Sequence, residues 1–125
     1  MSAPSSAPTV YVVDDDEAVR DSTRMVLQSY GIAVRTFASS RAFLQEADNI
    51  PFGCILVDQH MPEMTGLELL ESLRARGNTL PIIMITARAG TALKERALRA
   101  GAAALLDKPV ADDDLMRAIE AVLPK

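Results

Sequence analysis

The stretch Cys54–Ile55–Leu56–Val57–Asp58 decides the fold: four apolar residues closed by a lone carboxylate. An unbroken apolar run of this length reads as a strand covered on both faces, because a half-exposed strand would alternate with polar residues. Behind it comes Gln59–His60–Met61–Pro62–Glu63–Met64–Thr65–Gly66, a loop with Pro near its start and Gly at its close, which hands over to an amphipathic segment. In an open α/β sheet, ligands and chemistry gather outside the carboxyl ends of the strands, so a carboxylate fixed there is a candidate for work.

Working outward toward the amino end, Val10–Tyr11–Val12–Val13 is a second apolar run, ending in Asp14–Asp15–Asp16. Asp16 is the expected N-cap of a first helix, with Glu17 favourable at its positive end and Val19, Thr23, Val26, Leu27 and Tyr30 along one side. Gly31 stops it. Ala33–Phe37 is a short strand, and Ser39 or Ser40 caps a second helix that turns Phe43, Leu44 and Ala47 inward. Toward the carboxyl end, a third helix from Leu67 to Arg76 carries Leu67, Leu70 and Leu73 on one face. Pro81–Thr86 is the most hydrophobic strand and ends in a hydroxyl. A fourth helix, Thr91 to Ala100, has only Leu93, Ala97 and Ala100 on its apolar side and is expected to be lightly anchored. Ala103–Leu106 is a fifth strand, closed by Asp107–Lys108–Pro109, and a last helix starts at an Asp112 cap and buries Leu115, Ile119 and Val122. Strand and helix alternate five times, which defines an α/β domain: a five-stranded parallel sheet with helices on both faces.

The chain has 125 residues and 49% hydrophobic content, enough for one well-buried core. Residues 9–123 are expected to form that domain, with residues 1–8 a flexible Ser/Pro/Ala-rich tail and 124–125 an end or the start of a linker. Thirteen basic against seventeen acidic residues give a net charge of −4 with no Lys/Arg stripe, so this chain is not expected to bind nucleic acid. The single cysteine, Cys54, excludes a disulfide framework and a thiolate zinc site and suits a reducing compartment. No apolar run reaches membrane-spanning length and no leader pattern opens the chain, so the expected location is the cytoplasm.

The polar punctuation falls at one edge. Asp14, Asp15, Asp58, Thr86 and Lys108 all lie at or just beyond the carboxyl ends of expected strands, and in a parallel sheet those ends are neighbours. Three carboxylates brought together repel one another unless a cation joins them, and hard oxygen ligands suit Mg2+ or Mn2+. Lys108 adds a positive charge and Thr86 a neutral donor. Metal, ammonium and hydroxyl aimed at one point match what a transferring phosphoryl group requires, with Asp58 as the nucleophile left over.

These residues carry a resemblance. Val12–Val13–Asp14–Asp15, Asp58 with Met61–Pro62 and Gly66 behind it, Ile85–Thr86–Ala87, and Lys108–Pro109 resemble, in order and at the right strand ends, the receiver domain of bacterial two-component response regulators. The likeness runs from about Val10 to Leu123 and implies the flavodoxin-like (CheY-like) (βα)5 topology. The wording around Asp14–Arg20 and from Thr36–Phe37 to Phe43–Leu44 is most similar to the FixJ-type branch. The resemblance implies that Asp58 is the phospho-acceptor and that Asp14, Asp15, Asp58 and the backbone carbonyl of His60 hold Mg2+. It also implies that Thr86 and Lys108 bind the phosphoryl oxygens, and that the Lys108–Pro109 bond is cis. Its implied partners are a histidine kinase or histidine phosphotransfer protein as donor, and a downstream effector or covalently linked output domain as receiver of the signal, with room for a phosphorylation-dependent homodimer. The implied output surface is the fourth through the fifth helix, and the implied docking site lies near Val19, Arg20 and Thr23.

One position departs from that pattern. Receivers commonly carry Tyr or Phe three residues before the lysine, and here that residue is Leu105, which has no ring to swing. His60, the only histidine, is expected to be exposed beside the site, and Cys54 to be a small buried hydrophobe. FixJ-type proteins place a helix-turn-helix domain after the receiver, and none is written up to Lys125, so an excised receiver of a transcription factor stands as the alternative. Rival readings are a metal-dependent phosphohydrolase, against which stands the lack of a second acid two residues after Asp58, and an interaction module that is never phosphorylated.

Overall fold

The computed structural model describes residues 9–87 and 90–123, so expectations for residues 1–8 and 124–125 lie outside the described residues. The strands are β1 (Thr9–Val13), β2 (Ala33–Phe37), β3 (Cys54–Asp58), β4 (Ile82–Thr86) and β5 (Ala104–Asp107). Between and after them run α1 (Glu17–Ser29), α2 (Ser40–Glu46, extended by a 3-10 turn at Ala47–Asn49), α3 (Gly66–Ala75), α4 (Thr91–Arg99) and α5 (Asp112–Val122). All strand pairs are parallel, in the order β2-β1-β3-β4-β5. The chain winds one way from β1 to β2 and the other way from β3 to β5. The reversal leaves a crevice at the carboxyl ends of β1 and β3, where doubly wound sheets bind their ligands.

Strand β3 is buried along its whole length, as its unbroken apolar run requires. Alternate side chains serve opposite faces: Ile55 and Val57 enter the core beneath α2, α3 and α4, whereas Cys54 and Leu56 enter the one beneath α1 and α5. The first core is organised by an aromatic trio. Phe37 and Phe43 meet edge-on at 5.1 Å, and Tyr11 lies 6.0 Å from Phe43.

Local chemistry sets the helix starts. Asp16 Oδ1 accepts from the backbone N–H groups of Ala18 (2.9 Å) and Val19 (3.2 Å), Ser39 Oγ from Ala42, and Thr65 with Glu68 forms a reciprocal capping box on α3. Asp112 is not the cap of α5. Ala111 takes the extended capping conformation without a side-chain bond, and Asp112, Asp113 and Asp114 instead fill the first turn, where the helix dipole favours acids. On α1, Val19 and Tyr30 do not join the buried side; both are exposed, and Leu27 is its only fully buried residue. On α3, Leu69 is buried beside Leu67, Leu70 and Leu73.

Helix α4 buries only Ala97. The partly buried Leu93 and Ala100 pack on the same core, and polar contacts supplement them: Arg96 makes two 3.2 Å contacts with the carboxylate of Glu71 on α3, and Arg74 of α3 donates to the carbonyls of Asn78 (3.0 Å) and Gly101 (3.2 Å), the latter just past the end of α4.

Ser40, at the first position of α2, is 1% exposed and its Oγ has no hydrogen-bond partner. A buried, unpaired hydroxyl costs more than the methyl that would replace it. Ser40→Ala is therefore expected to stabilise the domain by about 1 kcal/mol, which for a domain of this size raises Tm by roughly 3–5 °C. Calorimetry checks it, and a lower Tm would mean that the hydroxyl has a partner in solution.

Candidate functional site

The carboxyl ends of the strands bring the expected residues together. Asp14 follows β1 and is 6% exposed, Asp58 closes β3 at 8%, and Thr86 closes β4 with no exposure. Of the described residues these three and Ser40 are the buried polar side chains, so three of the four face one crevice. Carboxylate oxygens of Asp14, Asp15 and Asp58 lie within 4.8 Å of one another, and Lys108 Nζ is 3.2 Å from Asp58 Oδ1. The Lys108–Pro109 bond is cis, as the resemblance implies.

Backbone contacts hold these groups in place. Asp14 N–H donates to the Phe37 carbonyl at 3.1 Å, Asp16 N–H donates to Asp14 Oδ1 at 2.9 Å, and Arg20 Nη1 reaches back to the Asp14 carbonyl at 2.8 Å. After Asp58, Gln59 N–H donates to the Ile85 carbonyl on β4 (2.8 Å), while Gln59 Oε1 accepts from Leu67 N–H (2.8 Å). Gly66 lets α3 begin against this turn: a Cβ there would lie 3.0 Å from the Asp58 carbonyl oxygen and 3.2 Å from Gln59 Cα. Lys108 N–H donates to the Thr86 carbonyl at 2.8 Å, fixing the strand end that presents the threonine.

His60 is exposed, as expected, but its ring is engaged: Nε2 lies 3.1 Å from Thr86 Oγ1. Sequence reasoning missed this pairing, and also Arg20 and Gln59 as residues that set the loops. No spacing signal announces a contact between side chains 26 positions apart. Leu105 is half-buried and packs against the core beneath α2, α3 and α4. Burial pushes the Cys54 thiol up to about 12, which leaves it inert as a nucleophile.

The donor set suits a hard divalent cation. Asp58 Oδ1 is buried without a hydrogen bond, Lys108 meets it in a geometry that makes an ion pair alone, and two further carboxylates stand beside it. Asp14 registers the crowding. Burial, opposed by the Asp16 N–H and aided by the charge of Asp58, raises its carboxyl above the ordinary 3.8. A raised native pKa means the unfolded chain gives up its proton first, so ionising Asp14 costs stability as pH rises above the ordinary carboxylate range, and the cost is absent below it. Asp14→Asn, whose amide oxygen can still accept from Asp16, is therefore expected to raise Tm in the absence of metal at pH 7 and not at pH 3. The same change is expected to weaken Mg2+ binding by about tenfold or more, since losing an outer partner of a ligand already costs roughly that much. Thermal melts with and without Mg2+ at both pH values check both halves.

Residues 10–120 match the family model described as "Response regulator receiver domain", and the chain belongs to that family. It is 42% identical over 120 residues to the transcriptional regulatory protein FixJ of Azorhizobium caulinodans, covering 96% of this chain and 56% of that protein. The chain thus spans about half the length of the curated relatives it matches. Among solved structures, FixJ-N superposes with a TM-score of 0.87 at 35% identity, covering 98% of this chain and 94% of that one. Chemotaxis protein CheY4 of Vibrio cholerae gives 0.86 at 31%, covering 94% and 100%. The fold is the CheY-like (βα)5 arrangement expected from the sequence. No helix among the described residues is long and apolar enough to cross a membrane.

Proposed function

We propose that this domain is a phospho-accepting receiver in which Asp58 takes a phosphoryl group from a phosphohistidine donor. The observation that carries the reading is Asp58 itself: a buried carboxylate with an oxygen lacking any hydrogen bond, 3.2 Å from an ammonium and flanked by two more acids. An oxygen of Asp58 forms the new O–P bond as the N–P bond of the donor histidine breaks and its imidazole leaves. Asp14, Asp15, Asp58 and the His60 carbonyl would hold Mg2+, which supplies charge neutralisation for the phosphoryl oxygens. Lys108 pairs with one of those oxygens, and Thr86 donates its hydroxyl to another.

The donor is a histidine kinase or histidine phosphotransfer protein. It docks across the active edge and α1, beside the groove formed by Val19, Thr23, Val26, Val110 and Leu115. The output is a shift in the surface from α4 to α5, and α4, whose one buried residue is an alanine, is lightly held. The domain works in the cytoplasm, does not turn over small molecules, and in the intact protein would be the receiver of a FixJ-type transcription factor. That last step rests on the names of relatives about twice its length.

Incubation with acetyl phosphate and Mg2+ is expected to add one phosphoryl group per chain by intact mass, and EDTA to prevent it. Amide exchange should then change in α4, β5 and α5 and stay constant in β1 and β3. Steady phosphate release from phosphomonoesters would make the chain a hydrolase instead, and absence of any adduct would leave only an interaction module.

A further inference from the structure

The His60 ring sits two residues beyond Asp58, in the loop between β3 and α3, and shares a 3.1 Å hydrogen bond with the hydroxyl of Thr86 at the end of β4. Backbone bonds brace the residue before His60 and Thr86 itself. On one side, Gln59 N–H is tied to the Ile85 carbonyl (2.8 Å) and Gly66 N–H to the Gln59 carbonyl (3.3 Å); on the other, the Thr86 carbonyl accepts from Lys108 N–H (2.8 Å). The bond from the imidazole to the hydroxyl therefore joins two side chains on braced segments, and it can break by rotamer changes alone, without moving either loop. Thr86 is fully buried whereas His60 is exposed, so of the two only the imidazole has open solvent to move into. Leu105, on the neighbouring strand, has no polar atom to offer the threonine.

We infer that His60 is a latch on Thr86: its ring holds the hydroxyl while Asp58 is unmodified and is released to the active-edge surface when Thr86 turns to a phosphoryl oxygen. This rests on the phospho-acceptor reading above and adds a residue to it, a positioning residue that acts through Thr86. Two consequences follow. The turn of Thr86 toward the phosphoryl oxygen breaks this side-chain hydrogen bond, so the latch biases the domain toward its unmodified state by about fivefold, the factor an ordinary net hydrogen bond supplies. The freed imidazole also becomes a feature that a partner meets only on the modified domain.

Two measurements at one fixed pH test it. In the first, the His60 ring resonances are followed by NMR as beryllofluoride and Mg2+ are added. The ring-to-Thr86 methyl contact is expected to vanish and the ring signals to move toward those of the Thr86→Val variant. If the Lys108 and Thr86 amides respond to saturation while the His60 ring signals and that contact stay fixed, the latch is overturned and the receiver stands. If no resonance at the crevice responds, the receiver reading fails with it. In the second, a double-mutant cycle on beryllofluoride affinity separates a latch from a structural role. His60→Ala should tighten binding by about fivefold in the native background, His60→Gln, which can still bond the hydroxyl, by less, and His60→Ala in the Thr86→Val background not at all. Equal effects of His60→Ala in both backgrounds would overturn the coupling.

Discussion

Asp58→Asn is expected to abolish phosphoryl transfer completely while leaving a folded and more stable domain. An amide oxygen is too poor a nucleophile to form the O–P bond, and neither neighbouring carboxylate takes its place: Asp14 accepts from the Asp16 N–H and Asp15 is exposed to solvent, whereas it is Asp58 that stands 3.2 Å from Lys108. The substitution also removes one charge from three acids whose oxygens lie within 4.8 Å, so repulsion in the metal-free protein falls. It costs one ion pair, but Lys108 is more than a third exposed and can be hydrated instead. Intact mass after treatment with acetyl phosphate and Mg2+ should show no increment, and Tm without metal should rise. An increment that survives in the variant would place the acceptor elsewhere and remove the basis for the mechanism.

Gly53→Ala is expected to be the most damaging single change outside the site. Gly53 precedes β3 with φ of 136°, a conformation that side chains rarely adopt. A Cβ there would lie 2.5 Å from the Thr9 carbonyl oxygen and 2.6 Å from Tyr11 Cε2. Neither neighbour can yield cheaply, because Thr9 is backbone paired in register with Ala33 and Tyr11 is wedged against Phe37 and Phe43. Overpacking and backbone strain add, giving a loss of about 3 kcal/mol or more and a Tm lower by roughly 10 °C. Urea unfolding measures it; a loss under about 1 kcal/mol would mean that β1 is far more pliant than its pairing on two sides allows.

The strands were the most legible part of this chain. Cys54–Asp58 begins and ends where its apolar run does, because a parallel strand buried on both faces leaves no polar residue inside it to blur its limits, and the edge strand Ala33–Phe37 also keeps its expected bounds although Ala33 and Arg35 are exposed. Helix faces were less legible. Val19 and Tyr30 keep the period of α1 but stand in its first turn and at its C-cap and are exposed, and periodicity cannot tell where cover stops. Asp112 has the side chain of a cap, yet capping needs an extended backbone, and Ala111 is the residue that has it. At the site, the convergence of Asp14, Asp15, Asp58, Thr86 and Lys108 was legible because a parallel sheet forces strand ends together. The bonds from Arg20 to the Asp14 carbonyl and from His60 to Thr86 were not, since each depends on rotamers and loop paths that no strand register dictates.

The way α4 is fastened bears on how such a domain can diversify. Its anchorage lies in Ala97, in the partly buried Leu93 and Ala100, and in guanidinium bridges to Glu71 and Gly101, so Lys94, Glu95, Leu98 and Arg99 face outward with little packing duty. Substitutions there can reshape this face at almost no expense to folding, so it is free to drift from one lineage to the next while the crevice chemistry stays as it is.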